Sequence, residues 1–153
     1  MATVYKISEE LFEDSFELIA LHCDMECYSV AYQINKFAQV QLERAKNDLE
    51  INACAFPLYE YKDDVKGEEW YLITNKVREE VKDNNTGFFQ NETTVKINHL
   101  LEERKEIDYL LKLYPETDAA LQHTVTSLRN IPTVRLAYQI NADQLKSKGN
   151  LIF

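Results

Sequence analysis

Residues 107–140 read IDYLLKLYPETDAALQHTVTSLRNIPTVRLAYQI, and this stretch decides the fold. Its first eight residues, 107–114, form an apolar run that is typical of a buried strand. Pro115 and Thr117 follow, and they supply a strand stop and a helix N-cap in that order. The stretch therefore predicts a strand and a helix in succession, and a second strand pattern over 133–140 completes a β-α-β unit.

The helix and the second strand of this unit are predicted from their apolar periodicity. In the helix, Leu121, Val125 and Leu128 recur at i, i+4 and i+7, which places them on one face. In the second strand, alternation predicts that three side chains share a face: Val134, Leu136 and Tyr138.

The rest of the chain predicts further strands and helices from weaker patterns. The predicted elements are strands at 4–7 and 16–21, a helix over 25–40 capped by Asp24, a charged connection over 41–51, a strand over 53–61 disturbed by Pro57, a hairpin partner over 69–75, a loop over 77–94, a turn over 102–106 and a helical turn at 143–146. Residues 95–101 fit either a strand or a helix, and we prefer a strand.

These elements predict one α+β domain over residues 1–153. Short helices among mostly hairpin-linked strands favour a two-layer sandwich, in which two main helices cover one face of a largely antiparallel sheet. A ferredoxin-like order, which is also that of ACT modules, is the simplest such topology.

The composition restricts the class of protein and its partners. A net charge of −9 disfavours nucleic acid as a partner, because affinity for phosphates depends on Lys and Arg. No run approaches the roughly 20 apolar residues that cross a membrane, and the first 20 residues are acidic rather than signal-like. Three cysteines are too few for a disulfide framework. We therefore expect reduced thiols and a cytoplasmic location, with no membrane contact.

The sequence offers no constellation for catalysis, metal or cofactor binding. Its three glycines are isolated, whereas phosphate-binding loops need several close together. His22, Cys23 and Cys27 are the only cluster of soft ligands, and no matching pair completes a zinc site. We interpret these cysteines as buried structural residues, and we predict no metal, no cofactor and no enzymatic activity.

Candidate binding residues lie at the two ends of the 107–140 stretch. Asp108 and Tyr109 open an otherwise apolar strand, and the Asp108 carboxylate is predicted either to bond the preceding turn, which we prefer, or to face a cleft or a partner. The chain is locally basic from residue 129 onward. The candidate binding residues are Glu103, Asp108, Tyr109, Arg135, Lys146 and Lys148.

Two resemblances accompany these residues. Residues 101–109, LEERKEIDY, resemble the signature of the uncharacterised bacterial IPExxxVDY family, with Glu102 in place of its proline, and the ending LKSKGNLIF over 145–153 is similar to that family's C-terminus. The resemblance spans the chain and implies no assigned activity. IDYLLKL, the helix and IPTVRLAYQI are also similar to ACT and RAM modules, which usually dimerise and bind amino acids.

We therefore favour a non-catalytic interaction module that binds a protein partner or a second copy of itself. A sensor of a small, amino-acid-type metabolite is the first alternative, although no ligand is specified by the residues. An enzyme of unknown class is the second.

Overall fold

The computed structural model describes residues 16–82 and 93–153. The predicted strand at 4–7 lies outside these residues. The strands are β1 (Glu17–His22), β2 (Glu43–Arg44), β3 (Leu49–Ile51), β4 (Cys54–Phe56), β5 (Leu58–Asp63), β6 (Glu68–Thr74), β7 (Lys76–Lys82), β8 (Thr93–His99), β9 (Tyr109–Leu113) and β10 (Leu136–Ile140). The helices are α1 (Cys27–Ala38) and α2 (Asp118–Arg129), and 3₁₀ turns span Ala142–Gln144 and Lys148–Leu151.

Six strands form one antiparallel sheet in the order β10-β1-β9-β6-β5-β2. Because β9 and β10 are both antiparallel to β1, they run parallel to each other on either side of it. The predicted β-α-β unit over 107–140 is thus present, with β1 between its two strands. Thr117 caps α2 as predicted, since its side chain accepts a hydrogen bond from the backbone N–H of Ala120 at 3.1 Å.

The chain is a mixed α+β protein, and both helices pack on the same side of this sheet. Val30 and Ile34 of α1 share one buried cluster with Leu121, Val125 and Leu128 of α2. Sheet residues that point to this side, such as Ile19, Leu72 and Leu111, complete the cluster. The periodicity of α2 in the sequence therefore identified its buried face correctly.

A second apolar cluster covers the opposite side of the sheet. Leu18, Ile73 and Leu110 point to this side, and they are covered by residues from β4 and from turns rather than from α1 or α2. The covering side chains include Phe56, Leu100, Leu101, Ile107, Leu145 and Leu151. The sheet is consequently buried on both sides, which explains why every residue of β9 is buried.

Strands β7 and β8 form a two-stranded antiparallel sheet of their own, which we call the ribbon. The prediction of a loop over 77–94 is therefore wrong for its described residues, while the preferred strand at 95–101 is confirmed, although it occupies 93–99. The loop was predicted because residues 77–94 combine charges, Asn-rich turns and an isolated Phe88-Phe89 pair. Most ribbon side chains are exposed, so no apolar face marks them as strands.

Three smaller predictions need correction. The N-cap of α1 is Glu26 rather than Asp24, and its side chain makes no capping bond. Pro57 separates two strands, β4 and β5, and the connection over 41–51 contains β2 and part of the β3–β4 hairpin. In the last strand, Leu136 and Tyr138 share a face as predicted, but Val134 precedes the strand and packs in the helix-side cluster, so the three side chains do not share one face.

Asn75 joins the main sheet, the ribbon and the turn before β9. It is fully buried, and its side-chain amide donates to the carbonyls of Arg104 and Ile107 at 3.0 and 2.8 Å. Its side-chain oxygen accepts from the N–H of Leu101 at 2.8 Å, and its own carbonyl accepts from the N–H of Leu100 at 2.9 Å. One side chain thus fixes the root of the ribbon.

Candidate functional site

The carboxylate of Asp108 lies where three segments of the chain meet. It accepts a hydrogen bond from the backbone N–H of Cys23 and another from Nζ of Lys76, both at 3.0 Å. A guanidinium nitrogen of Arg135 lies 3.5 Å away. The preferred prediction, a bond from this side chain to the turn over 102–106, is wrong, because Asn75 holds that turn instead. Asp108 binds the ends of β1, β7 and β10.

Arg135 links two carboxylates from the outside of this cluster. It donates to Asp24 at 3.0 Å, and its backbone N–H donates to the carbonyl of His22 at 2.8 Å. Because the Arg135 side chain is 57% exposed, its ion pairs contribute little to stability. The structure thus brings together two of the sequence-predicted residues, Asp108 and Arg135.

Tyr109 follows Asp108 and fixes the start of α1. Its hydroxyl donates a 2.5 Å hydrogen bond to the carbonyl of Met25, and burial is the main cause that raises the pKa of this hydroxyl. The group is therefore protonated at neutral pH. It acts as a hydrogen-bond donor to the backbone rather than as a base.

A cleft opens beside these residues, between the start of α1 and the root of the ribbon. It has two adjoining lobes of about 360 and 430 Å³ that share Met25, Thr74, Lys76, Arg78 and Tyr109. Volumes of this size are within the usual range for small-ligand pockets. Asp108 lines the first lobe, so the alternative prediction, in which it faces a cleft, agrees with its position.

The thiols beside the cleft are poor nucleophiles. Burial raises the pKa of Cys23 to about 11 and also raises the pKa of Cys27, whose sulfur accepts a hydrogen bond from the Thr74 hydroxyl at 3.3 Å. Both are therefore protonated thiols at neutral pH, and the thiolate is the reactive form. Cys23 is buried, while Cys27 and Cys54 are half-buried, and all three are free.

The other candidate residues lie in a separate group near the C-terminal turns. The Glu103 carboxylate accepts from the N–H and the hydroxyl of Ser147, both at 2.7 Å. Burial opposes ionisation of Glu103, but these hydrogen bonds outweigh it and hold its pKa below the usual value. Lys148 donates to Asp143 at 2.7 Å, whereas Lys146 is exposed.

Sequence reasoning missed β7, and with it the pairing that forms the ribbon, and it also missed the burial of Lys112. The ribbon displays Val81, Val95 and Ile97, which are 42%, 56% and 50% exposed. Lys112 lies in the middle of β9 with 1% exposure, and its Nζ donates to the carbonyl of Leu151 at 2.6 Å. A lone lysine between Leu111 and Leu113 was the one signal for it.

Within residues 16–82 and 93–153, no group of three or more His, Cys, Asp and Glu side chains is placed to hold a metal ion. Among the helices in these same ranges, none has the length and apolarity needed to cross a membrane. The chain matches no protein family model, no curated protein and no solved structure.

Proposed function

We propose that this chain is a non-catalytic interaction module that binds a protein partner through the ribbon. The observation that carries this proposal is a two-stranded sheet, separate from the six-stranded one, with Val81, Val95 and Ile97 exposed. Two strands alone are marginally stable in water. A partner that covers Val95 and Ile97, which share one face of the ribbon, would supply the missing packing.

The root of the ribbon is held firmly, which suits a binding element. Leu100, directly after β8, is fully buried and bonded to Asn75, while Lys76 at the start of β7 is paired with Asp108. The candidate residue Asp108 therefore holds the first residue of the ribbon, and Arg135 contacts Asp108 in turn. The outer residues of both strands are left exposed above this anchored base.

Two further proposals concern the fold and the family of this chain. We propose a ferredoxin-like core made of β1, α1, β6, β9, α2 and β10, and the strand order β10-β1-β9-β6 supports it. We also propose membership of the IPExxxVDY family, since the Asp and Tyr of that motif both make specific contacts in this chain. The free cysteines support work in the cytoplasm.

Site-specific photocrosslinking tests the ribbon directly. Benzoylphenylalanine is placed at position 97 of the ribbon or, as the control, at position 65. Val65 is an equally aliphatic residue, 97% exposed, in the turn between β5 and β6. In the cells that make this protein, we expect a discrete crosslinked protein from position 97 and none from position 65. Equal crosslinking from both positions, or none from position 97, would refute the proposal.

Binding of a small metabolite in the cleft is the second candidate function. Its support is the two-lobed cleft, in which Lys76, Arg78 and Asp108 present charges of both signs, as an amino acid would require. A thermal-shift screen over amino acids tests it, because a ligand at 100 times its Kd stabilises by about 2.7 kcal/mol. A flat screen would remove this candidate.

A further inference from the structure

We propose that the partner of the ribbon is an extended protein segment in which aliphatic and acidic residues alternate, added as a third strand along the open edge of β8. This inference rests on the proposed function, because it names the kind of partner that the ribbon binds. A second copy of this chain is a different occupant, and it is one outcome of the test below.

Among the described residues, the ribbon has the longest open strand edges, those of β7 and β8, and the exposed Val95 and Ile97 favour the edge of β8. β8 has seven residues and pairs with β7 on one side only, so alternate N–H and C=O groups point outward on the other side. The edges of the six-stranded sheet are less suited. β2 has only two residues, and on β10 the carbonyl of Ala137 already accepts from Nε of Arg129 at 2.9 Å.

The two faces of β8 specify what the added strand would carry. Val95 and Ile97 point to one face, while Lys96 points to the other. Side chains directly opposite each other on paired strands share a face and interact. The incoming strand therefore needs aliphatic residues beside Val95 and Ile97, and a residue that complements a cation beside Lys96.

Lys96 is available for such a residue. Its cross-strand partner is Glu79, but that carboxylate accepts a 2.9 Å hydrogen bond from the side-chain amide of Asn98. Lys96 forms no ion pair in the described part of the chain. An acidic residue on the added strand would pair with Lys96. It would stand between the two aliphatic residues in the sequence of that strand, so that aliphatic and acidic residues alternate.

The charge distribution favours an acidic segment over a second copy. The ribbon carries four basic side chains and two carboxylates, a formal charge of +2 on a chain whose net charge is −9. Two copies of the whole chain repel each other. A short acidic segment can instead pair with Lys96, because screening within about 8 Å weakens the field of the distant carboxylates.

Fluorescence anisotropy with three labelled peptides tests this specificity. The probe is the peptide TVEIEVT, in which aliphatic and acidic residues alternate. One control, TVVIEET, has the same composition without the alternation, and the other, TVKIKVT, is basic. We expect the wild-type protein to bind the probe at least about tenfold more tightly than either control, a difference of about 1.4 kcal/mol.

A charge-reversal pair locates the contact. Lys96→Glu should invert the preference, so that the basic peptide binds better than the acidic one. Lys66→Glu makes the same change of net charge in the exposed turn before β6, and it should leave the preference unchanged. Equal effects of both variants would show general electrostatics and overturn the inference, as would equal binding of the alternating and non-alternating acidic peptides.

The crosslinking experiment separates failure of this inference from failure of the proposed function. If position 97 crosslinks to another protein but no peptide shows the expected preference, the partner class is wrong and the interaction module stands. If position 97 crosslinks to a second copy of the chain, the inference is overturned in favour of self-association. If position 97 crosslinks to nothing and the peptides do not bind, both proposals fall.

Discussion

Replacing Lys112 with methionine should change how the stability of this protein depends on pH. The ammonium is enclosed on the side of the sheet away from the helices, where its hydrogen bond goes to the carbonyl of Leu151. Four aromatic rings surround it, with Nζ between 4.1 and 5.7 Å from their centroids: Phe16, Tyr71, Tyr114 and Phe153. Burial lowers the pKa of Lys112 from 10.5 to about 8, against a smaller opposing effect of Glu69.

The direction of the effect follows from proton binding. Because the pKa is lower in the folded chain than in the unfolded chain, the unfolded chain binds more protons between pH 8 and 10.5. The charged amine therefore lowers the free energy of unfolding by about 3 kcal/mol below pH 8, relative to a neutral amine. This penalty disappears as the pH rises through that window.

Chemical denaturation of wild type and Lys112→Met at a series of pH values measures the effect. Between pH 7 and 9.5, the wild type should gain about 2 kcal/mol of unfolding free energy relative to the variant. Buried thiols and tyrosines such as Cys23 and Tyr71, whose pKa values are raised by burial, act in the opposite direction, but both proteins contain them. The contribution of Cys23, which does not contact Lys112, cancels in the difference.

The absolute stability at pH 7 gives a second check. The methionine removes the penalty of about 3 kcal/mol but leaves the carbonyl of Leu151 without its donor, which costs about 1–3 kcal/mol. The variant should therefore be at least as stable as the wild type at pH 7. Lys66→Met, at an exposed lysine, should show no pH-dependent difference. If Lys112→Met likewise tracks the wild type from pH 7 to 9.5, Lys112 is not desolvated as the structure indicates.

Three further substitutions test local features of the fold by urea denaturation. Ala53→Gly should stabilise the protein by about 1 kcal/mol, because Ala53 has a φ of 62° in the turn between β3 and β4, and a destabilised variant would show that this turn is not left-handed. Asn75→Ala should cost about 3 kcal/mol, since the N–H of Leu101 and the carbonyl of Ile107 lose their buried partner, whereas Asn98→Ala on the exposed ribbon should cost less than about 0.5 kcal/mol. Thr117→Ala should cost about 1 kcal/mol through loss of the α2 cap, and an unchanged midpoint would contradict the capping bond.

The sequence predicted the elements that have one buried face and missed those that have none. The α2 helix was recognised because Leu121, Val125 and Leu128 repeat at helical spacing between a cap and a polar end. The ribbon has almost no buried side chains, so its alternation of charge and single aliphatic residues did not distinguish a strand from a loop. A half-buried strand is recognised in a sequence by alternating apolar and polar residues, which reflect burial of one face. The ribbon has no buried face for such a pattern to reflect.

Lys112 shows a different limit. A strand buried on both sides reads as a continuous apolar run, and a single lysine in it gives no indication of whether its side chain reaches solvent. Here it does not, because the last residues of the chain pack over it, and Leu151 is fully buried. That packing brings together segments 39 residues apart along the chain, as the hydrogen bond between them shows. No local pattern predicts it.

Asp108 connects the most recognisable stretch of the sequence to the proposed binding surface. The sequence shows that Asp108 is a charged residue at the start of an apolar strand. It does not show the partners of this residue, which come from three distant segments: Cys23, Lys76 and Arg135. The carboxylate stabilises the root of β7, and buried Asn75 fixes the adjoining end of β8. Asp108, in the stretch over 101–109, thus helps to hold the ribbon in place. A change at Asp108 should therefore act on binding of the protein partner through the position of the ribbon rather than through direct contact with that partner.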